Sequence, residues 1–183
     1  DCIDDAVLAL LAELSQKTAL WVELGMQTVN ETTIERMRRG YSHRKLDETV
    51  QRLRDAGIDI LLHMIVGLPG ETEDDLLRAV HYANENRVMG VKIHSLFLEK
   101  GSLWAAKPPK DLRLLEKEEY EELAVRMLAH LHPSIVVHRL TGDPDRSLVV
   151  GPLWTLDKAR VLSGIQRKLK EKDLWQGKLC VIL

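Results

Sequence analysis

The sequence predicts an α/β protein in which short parallel strands alternate with helices. Apolar runs of strand length are followed by longer segments with the 3.6-residue period of amphipathic helices. The connections are short, and a Gly-Leu-Pro-Gly turn at 67–70 ends one apolar run directly before a helical segment. Such alternation favours parallel strands joined by right-handed crossovers.

Ten elements are predicted from these patterns. In chain order they are helix 3–15, strand 20–25, helices 32–39 and 44–56, strand 58–66, helix 73–86, strand 91–98, helix 116–131, strand 135–140 and helix 155–172. Thr32 and Glu35 have the spacing of a capping box, which predicts the start of the second helix. Leu46, Val50 and Leu53 share one face of the third helix, and Gly57 follows its end.

The four predicted strands are too few to close a barrel of eight. The sheet is therefore either open or part of a larger barrel, and the short first strand would have an edge without a partner. The strand at 58–66 is apolar nearly throughout, as strands covered on both faces are. We favour a partial (β/α) barrel over 1–107, with parallel strands and helices outside, and a C-terminal extension, mostly helical, over 108–183.

Composition excludes several classes of function. The 183 residues suffice for one domain, and the net charge of −2 gives no global attraction to nucleic acid or anionic membranes. No run approaches about 18 apolar residues, and no signal peptide is recognisable, so we expect a cytoplasmic protein. The chain lacks an initiator methionine, from which we expect it to be part of a longer protein.

Metal and phosphate motifs are not evident in the sequence. Cys2 and Cys180 lie at opposite ends and support neither a disulfide framework nor a zinc or iron–sulfur site built within the chain. His130 and His132 end a predicted helix, where cationic side chains favour the dipole, so a metal site there is disfavoured. The Walker, Rossmann and Gly-Xaa-Ser-Xaa-Gly patterns do not occur.

Polar residues and glycines mark the ends of two predicted strands. Gln27 follows Gly25 at the end of the first strand, and the turn at 67–70 follows the second. Ligands of parallel sheets bind at the carboxyl ends of strands. The sequence therefore predicts a binding site at this edge of the sheet.

Five motifs, in this order, resemble the second half of a radical S-adenosylmethionine (SAM) domain. They are Glu23-Leu24-Gly25-Met26-Gln27, Arg39-Gly40-Tyr41, His63-Met64, Gly67-Leu68-Pro69, and Val91-Lys92-Ile93-His94 with Lys100-Gly101-Ser102-Leu103. Within this superfamily the chain is most similar to the Elongator-like and YhcC-like groups. The segments His138-Arg139-Leu140-Thr141-Gly142-Asp143 and Trp175-Gln176-Gly177-Lys178 resemble the YhcC-like group in particular.

The resemblance implies that several of these residues bind the cofactor. Gln27 and Arg39, twelve residues apart, would both contact bound SAM. A guanidinium pairs well with the methionine carboxylate, and an amide can both donate and accept hydrogen bonds. Glu23 would also belong to the cofactor site, and His63 takes a position where some relatives hold a ribose-binding aspartate.

The remaining motif residues are assigned by the same resemblance. Ile65, Val66 and Gly67 would present an apolar, closely approaching backbone to the adenine. Lys92 and His94, on the following strand, would face the barrel interior or the substrate. No residue is assigned as catalytic and none as a metal ligand.

The function implied by the resemblance is radical chemistry. A [4Fe–4S] cluster would reductively cleave SAM, and the 5′-deoxyadenosyl radical would abstract hydrogen from an unknown substrate, with RNA as one candidate. The cluster needs three cysteine thiolates that Cys2 and Cys180 cannot supply, so these are expected upstream. Two alternatives stay open: a non-catalytic truncated α/β module that binds an adenosyl ligand, RNA or a partner, and a metal-dependent hydrolase that uses the histidines.

Overall fold

The computed structural model describes residues 3–181, so that the prediction for Cys2 lies outside the described residues. The elements are α1 Asp5–Ser15, β1 Trp21–Gln27, α2 Glu31–Met37, α3 His43–Asp55, β2 Asp59–Val66, α4 Glu73–Glu85, β3 Gly90–Ser95, β4 Leu98–Glu99, α5 Leu103–Ala106, α6 Lys117–His130, β5 Val136–Arg139, β6 Val149–Gly151 and α7 Lys158–Glu171. No helix in this part of the chain combines the length and apolar character needed to cross a membrane.

Four strands form one parallel sheet in the order β1-β2-β3-β5. The predicted α/β class with parallel strands is thereby confirmed, and β1 lies at an edge of an open sheet, as expected. The short strands β4 and β6 pair antiparallel in a second sheet. The prediction extended the third strand through Leu98 and missed β6, because strands of two or three residues carry too little periodicity to be recognised.

The apolar core lies on one face of the parallel sheet. Leu62, Met64, Val91 and Ile93 are at most 1% exposed and belong to the same core cluster as buried residues of α3, α4 and α6. On the other face Leu61 is also fully buried, whereas His63, Ile65, Lys92 and His94 are only partly buried. The prediction that the strand at 58–66 is covered on both faces holds for Ile60, Leu61 and Leu62, which are all buried. It is wrong for the second half of the strand, where His63 and Ile65 are only partly buried.

The N-terminus of α2 also differs from the prediction. Asn30 caps this helix, and its side chain accepts a hydrogen bond from the Thr33 backbone N–H at 3.3 Å. The predicted capping box of Thr32 and Glu35 is wrong, since asparagine is among the strongest N-cap residues and starts the helix one position earlier. The spacing does form capping boxes at the starts of α4 and α6.

The second part of the chain packs closely on the first. Strand β5 pairs with β3, and α6 lies between α4 and α7. Tyr120 of α6 is fully buried, and its hydroxyl donates to the carbonyl oxygens of Leu140 at 2.8 Å and Ile93 at 3.3 Å. This side chain therefore ties the end of β5 to β3. The predicted boundary near residue 107 stays a prediction.

We expect Tyr120→Phe to lower the free energy of unfolding by about 1–3 kcal/mol, because the buried carbonyl of Ile93 and the partly buried carbonyl of Leu140 lose their partner. Urea denaturation followed by circular dichroism would measure the change. Tyr82→Phe is the matched control, since its hydroxyl bonds to Asp47 at an exposed site and its loss should change stability by about 0.5 kcal/mol or less. Equal losses in both variants would contradict this role of Tyr120.

Candidate cofactor and substrate site

A polar network crosses β1, β2 and β3 on the face opposite the core. The Glu23 Oε2 atom lies 2.7 Å from His63 Nε2 and accepts a hydrogen bond from Lys92 Nζ at 2.5 Å. His63 and Lys92 are direct neighbours in the register of β2 and β3. Three predicted site residues are thus brought together across three adjacent strands.

The charges in this network compensate one another. The hydrogen bond from Lys92, followed by that to His63, lowers the pKa of Glu23 from 4.5 to about 2. Glu23 is therefore a carboxylate at neutral pH, and it balances the charge of a lysine that is only 18% exposed. The Glu23 carboxylate holds His63 and Lys92 in place, because its Oε2 atom is hydrogen-bonded to both side chains.

His94 extends the network along β3. Its ring stacks on that of His63, with centroids 5.6 Å apart and an interplanar angle of 15°. Its Nε2 atom is buried and has no hydrogen-bond partner within residues 3–181. Burial lowers the pKa of His94 to about 4, with smaller effects from His63, Arg139 and Lys92, so that the imidazole is neutral at neutral pH. A neutral imidazole nitrogen without a partner can hydrogen-bond a ligand.

Arg39 lies at the carboxyl end of β1. Its Nη1 atom donates to the carbonyl oxygens of Met26 at 2.5 Å and Thr28 at 3.1 Å, and its Nε atom donates to that of Tyr41. The guanidinium also lies over the Tyr41 ring, 4.5 Å from the centroid. The Nη2 atom is buried and unpaired within the described chain. Desolvation lowers the pKa of Arg39, but guanidinium groups stay charged in proteins.

Gln27 is placed at the same strand end but does not join the network of Glu23. The residue has a φ of +62°, and its Nε2 atom would lie 2.7 Å from a Cβ atom at position 25. A larger residue at position 25 would displace this amide from its present position. Gln27 makes no side-chain hydrogen bond to the part of the chain described in the structure, so the amide is available.

The turn after β2 has the conformation that its glycines predict. Gly67 has a φ of +95°, in the left-handed region, and a Cβ atom there would lie 3.0 Å from the Leu115 side chain. The later part of the chain thus covers one side of this turn. Ile65 lies on the open face opposite His94 in the register of β2 and β3.

Sequence patterns miss Glu71, which follows the turn. The Thr28 hydroxyl donates a hydrogen bond to Glu71 and links the ends of β1 and β2. Burial raises the pKa of Glu71 to about 7, and its second oxygen is buried and unpaired within residues 3–181. Its position directly after a glycine turn at a strand end is the signal that could have identified it.

Comparison with known proteins gives the family. The model of the radical SAM superfamily matches residues 2–83, and that of the radical SAM C-terminal domain matches residues 88–171. The chain belongs to the radical SAM superfamily, which confirms the recognition made from its motifs.

Two curated relatives match almost the whole chain. It is 38% identical over 179 residues to the uncharacterized protein YtqA of Bacillus subtilis strain 168 and 35% identical over 173 residues to YhcC of Escherichia coli K12. These alignments cover 97% and 93% of this chain but 56% of each relative. The chain thus spans about half the length of the curated relatives it matches.

A solved structure supports the fold. The archaeal Methanocaldococcus infernus Elp3 with an N-terminal deletion superimposes with a TM-score of 0.76 at 17% identity. The match covers 94% of this chain and 40% of that one. The predicted fold of radical SAM type is therefore confirmed, and this likeness shows the fold alone.

The superfamily implies two cofactors, SAM and a [4Fe–4S] cluster. The described residues contain no group of three His, Cys, Asp or Glu side chains that could hold a metal ion, and so offer no ligand set for the cluster. They fit SAM better, because the unpaired Nη2 of Arg39 is a buried cationic donor and suits a carboxylate oxygen.

We expect Lys92→Met to raise the pKa of Glu23 from about 2 toward 4.5, because Lys92 is the main cause of the lowered value. Carbon-13 NMR of the labelled carboxyl group would follow the titration. Since the folded-state pKa is lowered, the contribution of Glu23 to stability is present above about pH 4.5 and is lost as the pH falls toward 2. In Lys92→Met, where the pKa of Glu23 lies closer to 4.5, stability should depend less on pH between about pH 2 and 4.5.

Lys158→Met is the control for this titration, because Lys158 pairs with Asp143 and not with Glu23. It should leave the pKa of Glu23 as in the wild type. An unchanged pKa in Lys92→Met would mean that the ion pair does not form.

Proposed function

We propose that this chain is the C-terminal part of a radical SAM enzyme and that its strand ends form part of the SAM pocket. The observation that carries the proposal is Arg39, a partly buried guanidinium at the carboxyl end of an edge strand, whose buried Nη2 atom has no partner within the described chain. Ligands of parallel sheets bind at this end of the strands. Membership of the radical SAM superfamily supports the same class of function.

Each residue of the proposed pocket binds a different part of SAM. Arg39 Nη2 pairs with the methionine carboxylate of SAM, and the Gln27 amide bonds to its amino acid or ribose part. The side chain of Ile65 and the backbone at Gly67 pack against the adenine. Glu23 and His63 line the ribose side, where Glu23 acts by fixing the orientation of the imidazole.

The chemistry is shared with the part of the protein that lies upstream. When bound, the [4Fe–4S] cluster and SAM supply the radical that removes a hydrogen atom from the substrate. This chain binds and orients the cofactor and excludes water from one side of it. Residues 1–107 serve as half of the barrel, and the extension over 108–183 adds the strand β5 to its sheet and packs on it, in the cytoplasm.

The substrate lies on the side of β3. Lys92 and His94 carry polar nitrogens on the open face, next to the network of Glu23. RNA is one candidate substrate, but the net charge of −2 gives no overall attraction to it.

A non-catalytic module that binds an adenosyl ligand is the second proposal, favoured by the lack of a cluster ligand set in the described residues. Release of 5′-deoxyadenosine by the longer protein under reducing conditions separates the two.

We expect Arg39→Ala in the longer protein to weaken SAM binding ten- to a hundredfold, because a charge-assisted hydrogen bond contributes roughly 1.5–3 kcal/mol. Anaerobic calorimetry would measure the affinity. Arg38→Ala is the control, because the neighbouring arginine is exposed and should not matter. Arg39 also bonds to backbone carbonyls, so thermal melting must show that the variant is folded. Normal affinity for SAM in a folded Arg39→Ala variant would show that Arg39 does not bind the methionine carboxylate.

The 183-residue chain should remain colourless after anaerobic treatment with iron and sulfide, because its two cysteines cannot hold a cluster. The longer protein, with the upstream segment, should turn brown under the same conditions. Iron analysis and visible absorbance give the readout. A stoichiometric cluster on the short chain would show that the division between the two parts is wrong.

A further inference from the structure

We propose that Arg139, with His94 beside it, forms an oxyanion-binding subsite for the substrate. The segment from His138 to Asp143 has no part in the proposed SAM pocket, although it is one of the motifs that mark this chain. The inference rests on the proposed function and deepens it, since it names the chemical group by which the substrate is held.

A β-bulge aims Arg139 at the site. Val91 pairs with Val137, but the next residue of β3, Lys92, pairs with Arg139, so that His138 is an extra residue in β5. The His138 ring occupies the space beside Gly90, where a Cβ atom would lie 2.6 Å from it. Bulges re-aim side chains and are frequent next to active sites. Here the bulge leaves Arg139 opposite Lys92.

Arg139 has hydrogen-bonding capacity that the described chain does not use. Its nearest carboxylate oxygen, on Asp143, is 4.0 Å from Nη2, beyond hydrogen-bond distance. Asp143 is instead bound by Lys158. The Arg139 side chain is 40% exposed, and its guanidinium donates no hydrogen bond within residues 3–181. Its planar set of donors matches two oxygens of a carboxylate or phosphate group.

The neighbouring residues complete an anion site rather than a cation site. Arg139 and Lys158 share the single carboxylate of Asp143, while Lys92 is balanced by Glu23, which leaves one positive charge without a counterion. His94 adds a buried Nε2 atom with no partner in the described chain. His94 lies two residues after Lys92 on β3, and Lys92 is the register partner of Arg139, so that the imidazole and the guanidinium lie on the same face of neighbouring strands.

The subsite is separate from the proposed SAM carboxylate contact. Arg39 lies at the end of β1 and Arg139 at the end of β5, three strand positions apart in the sheet. That corresponds to roughly 14 Å at the usual spacing of neighbouring strands. The two arginines therefore serve different groups, and the oxyanion at Arg139 is a phosphate ester or a carboxylate of the substrate.

The test is a titration of the labelled 183-residue chain with inorganic phosphate and, separately, with acetate at low ionic strength. The imidazole signal of His94, assigned with His94→Gln, should shift in a saturable manner. Arg139→Gln should weaken binding about tenfold or more, since a charge-assisted contact is lost. Arg160→Gln is the matched control on α7, where the arginine is 81% exposed, and should bind as the wild type does. Tighter binding of one anion identifies the substrate group as a phosphate ester or a carboxylate.

Asp143→Asn provides a test that does not depend on the folding of Arg139→Gln. Removing the carboxylate that faces both Arg139 and Lys158 should strengthen phosphate binding, whereas a purely structural ion pair would give no such gain. No saturable shift with either anion, no gain in Asp143→Asn, or equal losses in Arg139→Gln and Arg160→Gln would overturn the proposal.

The failure of this proposal can be told apart from the failure of the proposed function. The anion titration needs no SAM, and Arg39→Ala should leave phosphate binding unchanged. In the longer protein, SAM and phosphate should bind together. Competition between them would make Arg139 a cofactor contact and overturn the assignment to the substrate.

Discussion

The core helices of the described chain pack on one face of the parallel sheet, and this arrangement determines which strand positions are apolar and which can be polar. Helices α3, α4 and α6 pack on the face that carries Leu62, Met64 and Ile93, and the described chain brings no core helix to the other face. Successive side chains of a strand point to opposite faces. Toward the carboxyl ends of the strands, the residues between the core positions, such as His63 and Lys92, are only partly buried and can be polar. A single strand thus supplies both core residues and the candidate site.

On the polar face, opposite charges and hydrogen bonds between the side chains provide the stabilising contacts, rather than burial of apolar surface. Glu23 is 37% exposed, so solvent screens its ion pair and the pair contributes modestly to stability. Its main effect is to hold His63 and Lys92 in place across three strands. Arg39 differs, because one buried donor has no partner within the described chain, and such a group costs about 1–3 kcal/mol. A ligand that bonds to this nitrogen would recover that cost, which favours a preformed anion contact.

The sequence was sufficient to predict that the strands pair in parallel, because they alternate with helices that can serve as crossovers, and to predict that the first strand lies at an edge. The sequence was insufficient to predict which residues of β2 face the core and which face the open side of the sheet. The count of apolar residues in 58–66 is high, yet His63 and Ile65 alternate with core residues and lie on the open side. The motifs led to Glu23, His63 and Lys92. Their mutual bonds follow from the register, which no local pattern encodes.

Arg139 and Glu71 were missed for a related reason. An arginine at the end of a short strand is unremarkable until the bulge in β5 places it opposite Lys92. Glu71 gains its raised pKa from burial, which only the packing of the turn against β1 produces. Residues whose character depends on long-range contacts are invisible to periodicity and capping rules.

The irregularities of the sheet are confined to its edge strands. Strands β2 and β3 pair without interruption over six residues, whereas β1 has a register shift between Leu24 and Gln27 and β5 has one at His138. A central strand must keep register with two neighbours, but an edge strand has only one and accepts an extra residue more easily. The regular centre therefore holds His63, Lys92 and His94 in fixed positions. The two bulged edges re-aim Gln27 toward the proposed cofactor and Arg139 toward the proposed substrate, so that each side of the site can change without disturbing the other.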